Sequence, residues 1–178
     1  MLYPYLGFRH MTNRRCDMFS KEKLIFVKLA KCPQVYLDEK GEFASANTNM
    51  VYNLRQYDYK FLLGYLNCSL FNFVYHTMFG GLSMLGSVQI QAPQIKKSLI
   101  PKLNDYSSQQ QPIINIVNDI LMQKKDNPFR DTSSQEQQID RLVYHLYNLT
   151  YDEVLIIDPT PPFSREEYKQ DEQREQKH

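Results

Sequence analysis

Tryptophan is absent from this 178-residue chain, glycine occurs six times and cysteine three times. Each scarcity closes off a class of protein. With so few glycines there is no glycine-rich phosphate loop; Gly80-Gly81 runs into Leu-Ser-Met and reads as a hinge or turn. Cys16, Cys32 and Cys68 are scattered, with no Cys-x-x-Cys or His-x-x-x-His spacing, which argues against a disulfide framework and against a zinc site. No apolar run reaches the ~18 residues that a membrane helix needs. The opening MLYPYLGFRHM lacks the basic-then-apolar order of a secretory signal. A reduced, cytoplasmic protein without a membrane span is expected. His10, His76, His145 and His178 fall at no ligand or nucleophile spacing, and the clustered carboxylates of a hydrolase are not found before the tail. His145 lies beside an apolar stripe and reads as a packing residue.

What remains is a chain able to build a core. Hydrophobic residues make up 42% and aromatics 13%, too much apolar surface for wholesale disorder. The length suits one domain, or one domain with a helical extension. The net charge of +1 and pI near 7.7 are mild for a nucleic-acid binder, but the charge is unevenly placed. Arg9, Arg14, Arg15, Lys21, Lys23, Lys28 and Lys31 face only Asp17 and Glu22 among the first 33 residues, whereas the tail from 163 mixes both signs.

Hydrophobic period divides the chain. The first half reads as short strands: Lys23–Leu29, Val35–Leu37, Phe43, Asn49–Leu54 and Ser87–Gln91, with Asp38-Glu-Lys-Gly41 as a turn whose glycine takes positive φ. Asp58 is placed to cap a helix that stops near Asn67, and Ser69 to begin another through Tyr75. Phe61, Tyr65, Phe71 and Phe73 fall at core periodicity. The second half is helical. Ile113, Ile116, Val117, Ile120 and Leu121 form one stripe over residues 109–125, with Pro112 tolerated in the first turn. Ile139, Leu142, Val143, Leu146 and Leu149 form the next. Ser133 with Glu136, and Thr150 with Glu153, have capping-box spacing. The fold class expected is α+β: a small, bent, mostly antiparallel sheet region with short helices over 1–106, then an antiparallel helical hairpin over 107–158. The charged tail 159–178 is expected to be disordered.

Three blocks of wording then stand out: Tyr59-Lys60-Phe61-Leu62-Leu63-Gly64-Tyr65-Leu66-Asn67-Cys68-Ser69-Leu70, Gln110-Gln111-Pro112-Ile113-Ile114 through Lys125, and Gln138-Ile139-Asp140 through Val154. In order and spacing, over roughly residues 5–158, they resemble the TaqI-like C-terminal specificity domain of adenine-N6 DNA methyltransferases and fused restriction–modification enzymes. Cys68 departs from that pattern. The resemblance implies a target-recognition domain without catalysis of its own. S-adenosylmethionine would then be needed only in a catalytic part, and the partners would be double-stranded DNA and a methyltransferase domain or subunit. The flipped-base motif of the parent enzymes, of Asn-Pro-Pro-Tyr type, is not matched by Asn127-Pro128-Phe129, which lacks a proline and follows no strand.

A DNA reader needs cations for phosphates and polar side chains for base edges. Arg9, Arg14 and Arg15 with Asn13, then Lys28 and Lys31, the polar loop Asn47-Thr48-Asn49, and Lys96, Lys97 and Lys102 are the candidates; each could equally be a solvated surface group. Arg141 and Lys124, on polar helix faces, are candidate partner contacts. Two other readings stay open: a protein-docking module built on the helical hairpin, and a remnant of a split gene.

Overall fold

The computed structural model describes residues 18–43, 47–80 and 87–175, with side chains to residue 170. Among these are seven helices and two small antiparallel sheets, the α+β class expected. β1 (Lys23–Val27) is the centre of a three-stranded sheet, flanked by β3 (Val35–Asp38) and β4 (Thr48–Val51). Its register sets Lys23 opposite Asp38 and Val27 opposite Thr48. The apolar run expected as one strand breaks at Lys28: β2 (Leu29–Ala30) leaves to pair with β5 (Val88–Gln89) in a second sheet. β4 ends at Val51 rather than Leu54, where Asn53 takes a positive φ of 58°.

Leu24 and Phe26 face the core from β1, in the alternation of a strand with one buried face. Against them lies α1 (Tyr59–Asn67), capped as expected by Asp58, whose carboxylate accepts from the Lys60 N–H at 2.7 Å. α2 (Ser69–Phe79) follows after a one-residue break, and its N-cap is the Cys68 sulfur, accepting from Phe71 N–H at 3.4 Å. Phe61, Tyr65 and Phe71 are buried; Phe73, expected among them, is exposed because it lies on the outer face of α2. α3 (Ala92–Lys97) is a short helix that the prolines at 93 and 101 had masked; Pro93 sits in its first turn, where an N–H is free anyway.

α4 (Gln111–Asp126) and α5 (Ser133–Leu146) pack on each other across a short connection, and both bear on α1. The seat is Gly64: a Cβ there would lie 2.8 Å from Ile113 Cγ2 and 3.1 Å from Val117 Cγ2. The helices therefore approach where α1 has no side chain. Gln110 locks the register. Its Oε1 accepts from Asp58 N–H at 2.7 Å, while its Nε2 donates to the carbonyls of Gln56 and Tyr106. The cap of α5 is displaced from expectation. Asp131 takes the Ser133 N–H and hydroxyl, so Thr132, buried, is the N-cap and donates to Glu136 Oε1 at 2.6 Å. The Thr150–Glu153 box forms as expected and opens α6 (Tyr151–Ile157).

The tail departs from expectation. Arg165–Glu175 forms α7, opened by Ser164, whose N–H donates to Glu167 Oε2 at 2.6 Å. Tyr168 is buried in the core, stacks on His145 at 4.2 Å and donates to Leu149 O. Composition read as solvated because the docking rests on two aromatics, Phe163 and Tyr168, amid charge. Arg141 is also spent inside the chain, donating to Glu167 O at 2.7 Å and lying over the Phe163 ring; Lys124 donates to Arg130 O. Both cations thus hold contacts within the chain. Buried residues of the sheet, α1, α2 and the helical pair form one continuous cluster.

Candidate nucleic-acid interface

The candidates do not all gather. Arg9, Asn13, Arg14 and Arg15 lie outside the described residues. Those described concentrate at the Val27 end of the three-stranded sheet. Lys28 follows directly, its carbonyl accepting from Ile90 N–H at 2.8 Å, and the exposed Lys31 is three residues on. Asn47 is exposed and Thr48 begins β4 opposite Val27. Asn49 stands on the core face, opposite Phe26, and its Nδ2 donates to Ile90 O at 2.7 Å. That amide ties β4 to the second sheet.

Facing β4 is α3, and its placement is built from polar contacts. Gln94 is buried; its Oε1 accepts from Gln91 N–H at 2.7 Å and lies 3.1 Å from the Tyr75 hydroxyl. This anchors α3 to α2 and leaves Lys96 and Lys97 exposed in its last turn. Between β4 and α3 runs a cleft of about 390 Å³, lined by Thr48 through Tyr52 on one side and by Ala92, Ile95 and Lys96 on the other, with Met18 at one end. Lys102 does not line it. It is exposed, beyond a stretch held by Tyr65 donating to Leu99 O and Tyr57 donating to Pro101 O, each at 2.8 Å.

Charge is graded along the sheet. At the Lys23 end stand Glu22, Glu39 and Asp58 with Lys60; burial, then Asp58 and Glu39, push the Glu22 carboxyl above its ordinary value. At the Val27 end the ionisable groups are Lys28 and Lys31, with Lys96 and Lys97 across the cleft. Acidic and basic groups are mixed at the Lys23 end, where Lys21 and Lys40 also stand, whereas the described groups named at the Val27 end are lysines. Lys21 was hidden in the basic front of the sequence; its Nζ lies 5.9 Å from the centre of the Tyr52 ring, a cleft residue. The apolar floor from Met18, Met50 and Ile95 gave no signal in sequence, because it assembles residues from three separated segments. Among the described residues no three His, Cys, Asp or Glu side chains converge as a metal site, and no helix is long and apolar enough to cross a membrane. Burial pushes the Cys68 thiol up to about 12, so it stays protonated as a helix cap.

A family model described as the TaqI-like C-terminal specificity domain matches residues 3–98, more than half of the chain. The chain belongs to that family, and its role is a DNA-specificity one in the setting of restriction–modification enzymes. No curated protein matches it. Every candidate contact except Lys102 falls inside the matched span, while the helical pair α4–α5 lies beyond it.

Proposed function

We propose that this chain reads a short duplex DNA sequence on behalf of an adenine-N6 methyltransferase or a fused restriction–modification enzyme, and performs no chemistry itself. S-adenosylmethionine and the methyl transfer belong, in this reading, to a catalytic domain or subunit. The observation that carries it is a cleft between an edge strand and a short helix, lined by Thr48 and Lys96, with Lys28 just past the adjoining end of β1, within a specificity-domain sequence. Lysines hold phosphates and fix register; side chains at the start of β4, Asn47 to Asn49, query base edges; the bound geometry presents one adenine for flipping into a pocket elsewhere.

Salt dependence tests this. Fluorescence anisotropy on a duplex should give an affinity that falls steeply with salt. Lys96→Glu/Lys97→Glu should weaken binding by about tenfold or more and flatten the logarithmic salt slope by about two, with no change in melting temperature. Affinity indifferent to salt, or to this reversal of charge, would refute the assignment.

One feature supports a second role beside the first. Phe129, at the tip connecting α4 and α5, is 94% exposed, and Met122 is 61% exposed. A hairpin tip of this kind suits docking on the catalytic part. Phe129→Asp should then lower co-purification with that part while leaving duplex affinity unchanged.

A further inference from the structure

Lys23 is fully buried, yet it does not point into the core. Strand alternation puts Leu24 and Phe26 on the core face of β1 and Lys23 on the other. What covers it is the turn before β1. Its Nζ donates to Phe19 O at 2.7 Å, to Lys21 O at 3.3 Å, and to the carboxylate of Asp38, the residue directly opposite on β3. Asp38 in turn accepts from Glu42 N–H at 3.0 Å and from Phe43 N–H at 2.9 Å. An independent contact joins the same two segments. Gly41, at φ +70°, rests on Ser20 so closely that a Cβ would fall inside 3.0 Å of its backbone. The turn leading into β1 and the start of the β3–β4 connection are thus clasped together.

The clasped turn before β1 borders the cleft. The residue preceding Phe19 is Met18, which lines the cleft, and Lys21 lies over Tyr52, which lines it too. A buried ion pair gives little stability over apolar residues of similar volume; its attested use is to fix register.

We propose that Lys23, Asp38 and Gly41 are positioning residues for DNA reading: the clasp sets which base sequence is preferred, and leaves general duplex affinity alone. The inference rests on the DNA-reading role above. It is tested on the full chain with Lys23→Met/Asp38→Leu, and separately with Gly41→Ala, which lies outside the core cluster. Duplexes enriched by the wild-type chain from a random pool are compared with shuffled ones, and amide exchange is followed at Glu42 and Phe43. In both variants those amides should exchange about tenfold faster or more. Affinity for shuffled duplex should stay within about twofold, and preference for the enriched duplex should fall about tenfold or more. Preference that survives in a variant with loosened Glu42 and Phe43 amides overturns the proposal, as does unchanged protection of those amides. Should the double variant fail to fold, Gly41→Ala decides by the same two readouts. A wild-type chain that enriches no duplex refutes the DNA reading itself, and this is visible before any variant is made.

Discussion

Around the sheet, the chain is held by a few polar ties; among the helices, it is held by close apolar packing. The contrast is clearest in two carboxylates. Asp38 is buried opposite a lysine: burial pushes its carboxyl up, but Lys23 and the Phe43 and Glu42 N–H groups outweigh that and hold it below the ordinary range. Asp140, on α5, accepts from the Ser69 N–H and hydroxyl, each at 2.7 Å, and so caps α2. Burial first of all raises its carboxyl, with the Ser69 bonds opposing and Asp158 and Glu136 adding to the rise. One acid fixes a pair of loops and is content ionised. The other joins two helices and tolerates its charge at a cost. The lesson is that polar ties in this molecule mark where segments must be registered, while bulk stability comes from burial.

The largest effect that would test this contrast is at Lys23. Lys23→Met alone strands the Asp38 carboxylate and should cost about 3 kcal/mol in urea denaturation, whereas the Lys23→Met/Asp38→Leu pair should recover most of it. Equal losses in both would show that the pair carries bulk stability after all. On the helical side, Gly64→Val forces a side chain against Ile113 and Val117 and should cost about 2–3 kcal/mol. Duplex affinity per folded molecule should not move.

Asp140→Ala leaves the Ser69 N–H without its acceptor and should cost about 1–2 kcal/mol, while Asp140→Asn retains an acceptor and should cost less. The pH dependence separates the two acids. Asp38 has a lowered folded value, so its contribution is present above the ordinary carboxylate value and is lost as pH falls through the folded one. Asp140 has a raised folded value, so its charge costs stability above that value, and the cost fades as pH drops toward the ordinary carboxylate range. The stability difference between Asp140→Asn and wild type should therefore shift in favour of wild type on mild acidification. A difference that is flat with pH would remove the distinction drawn here.

Much of the scaffold was legible in the sequence because its rules are local. The Asp58 and Thr150 caps, the glycine turn at 41 and the stripe Ile113–Val117 follow from spacing alone. The family-like blocks proved to be joints: Gly64 seats two helices, and Asn67 bonds both the N–H and the carbonyl of Val35 at 3.0 Å. Gln110 and Asp140 complete the set. What could not be read depends on distant partners. Lys23 counts as a surface charge in any linear tally, and nothing near it in sequence announces Asp38. Asn49 looked like a base reader, and only the fold shows its amide bound to Ile90. The α7 docking escaped because only Phe163 and Tyr168, amid a charged run, carry it.

The bridging by Gln110 has an engineering consequence. Because that one side chain bonds both the residues just before α1 and Tyr106 O, the start of α4 is indexed jointly by α1 and by the stretch leading into it. Exchanging the reading edge while keeping the pair aimed therefore means preserving 98–110, where Leu99, Pro101 and Leu103 are themselves tied to α1 or buried, and grafting only ahead of α3.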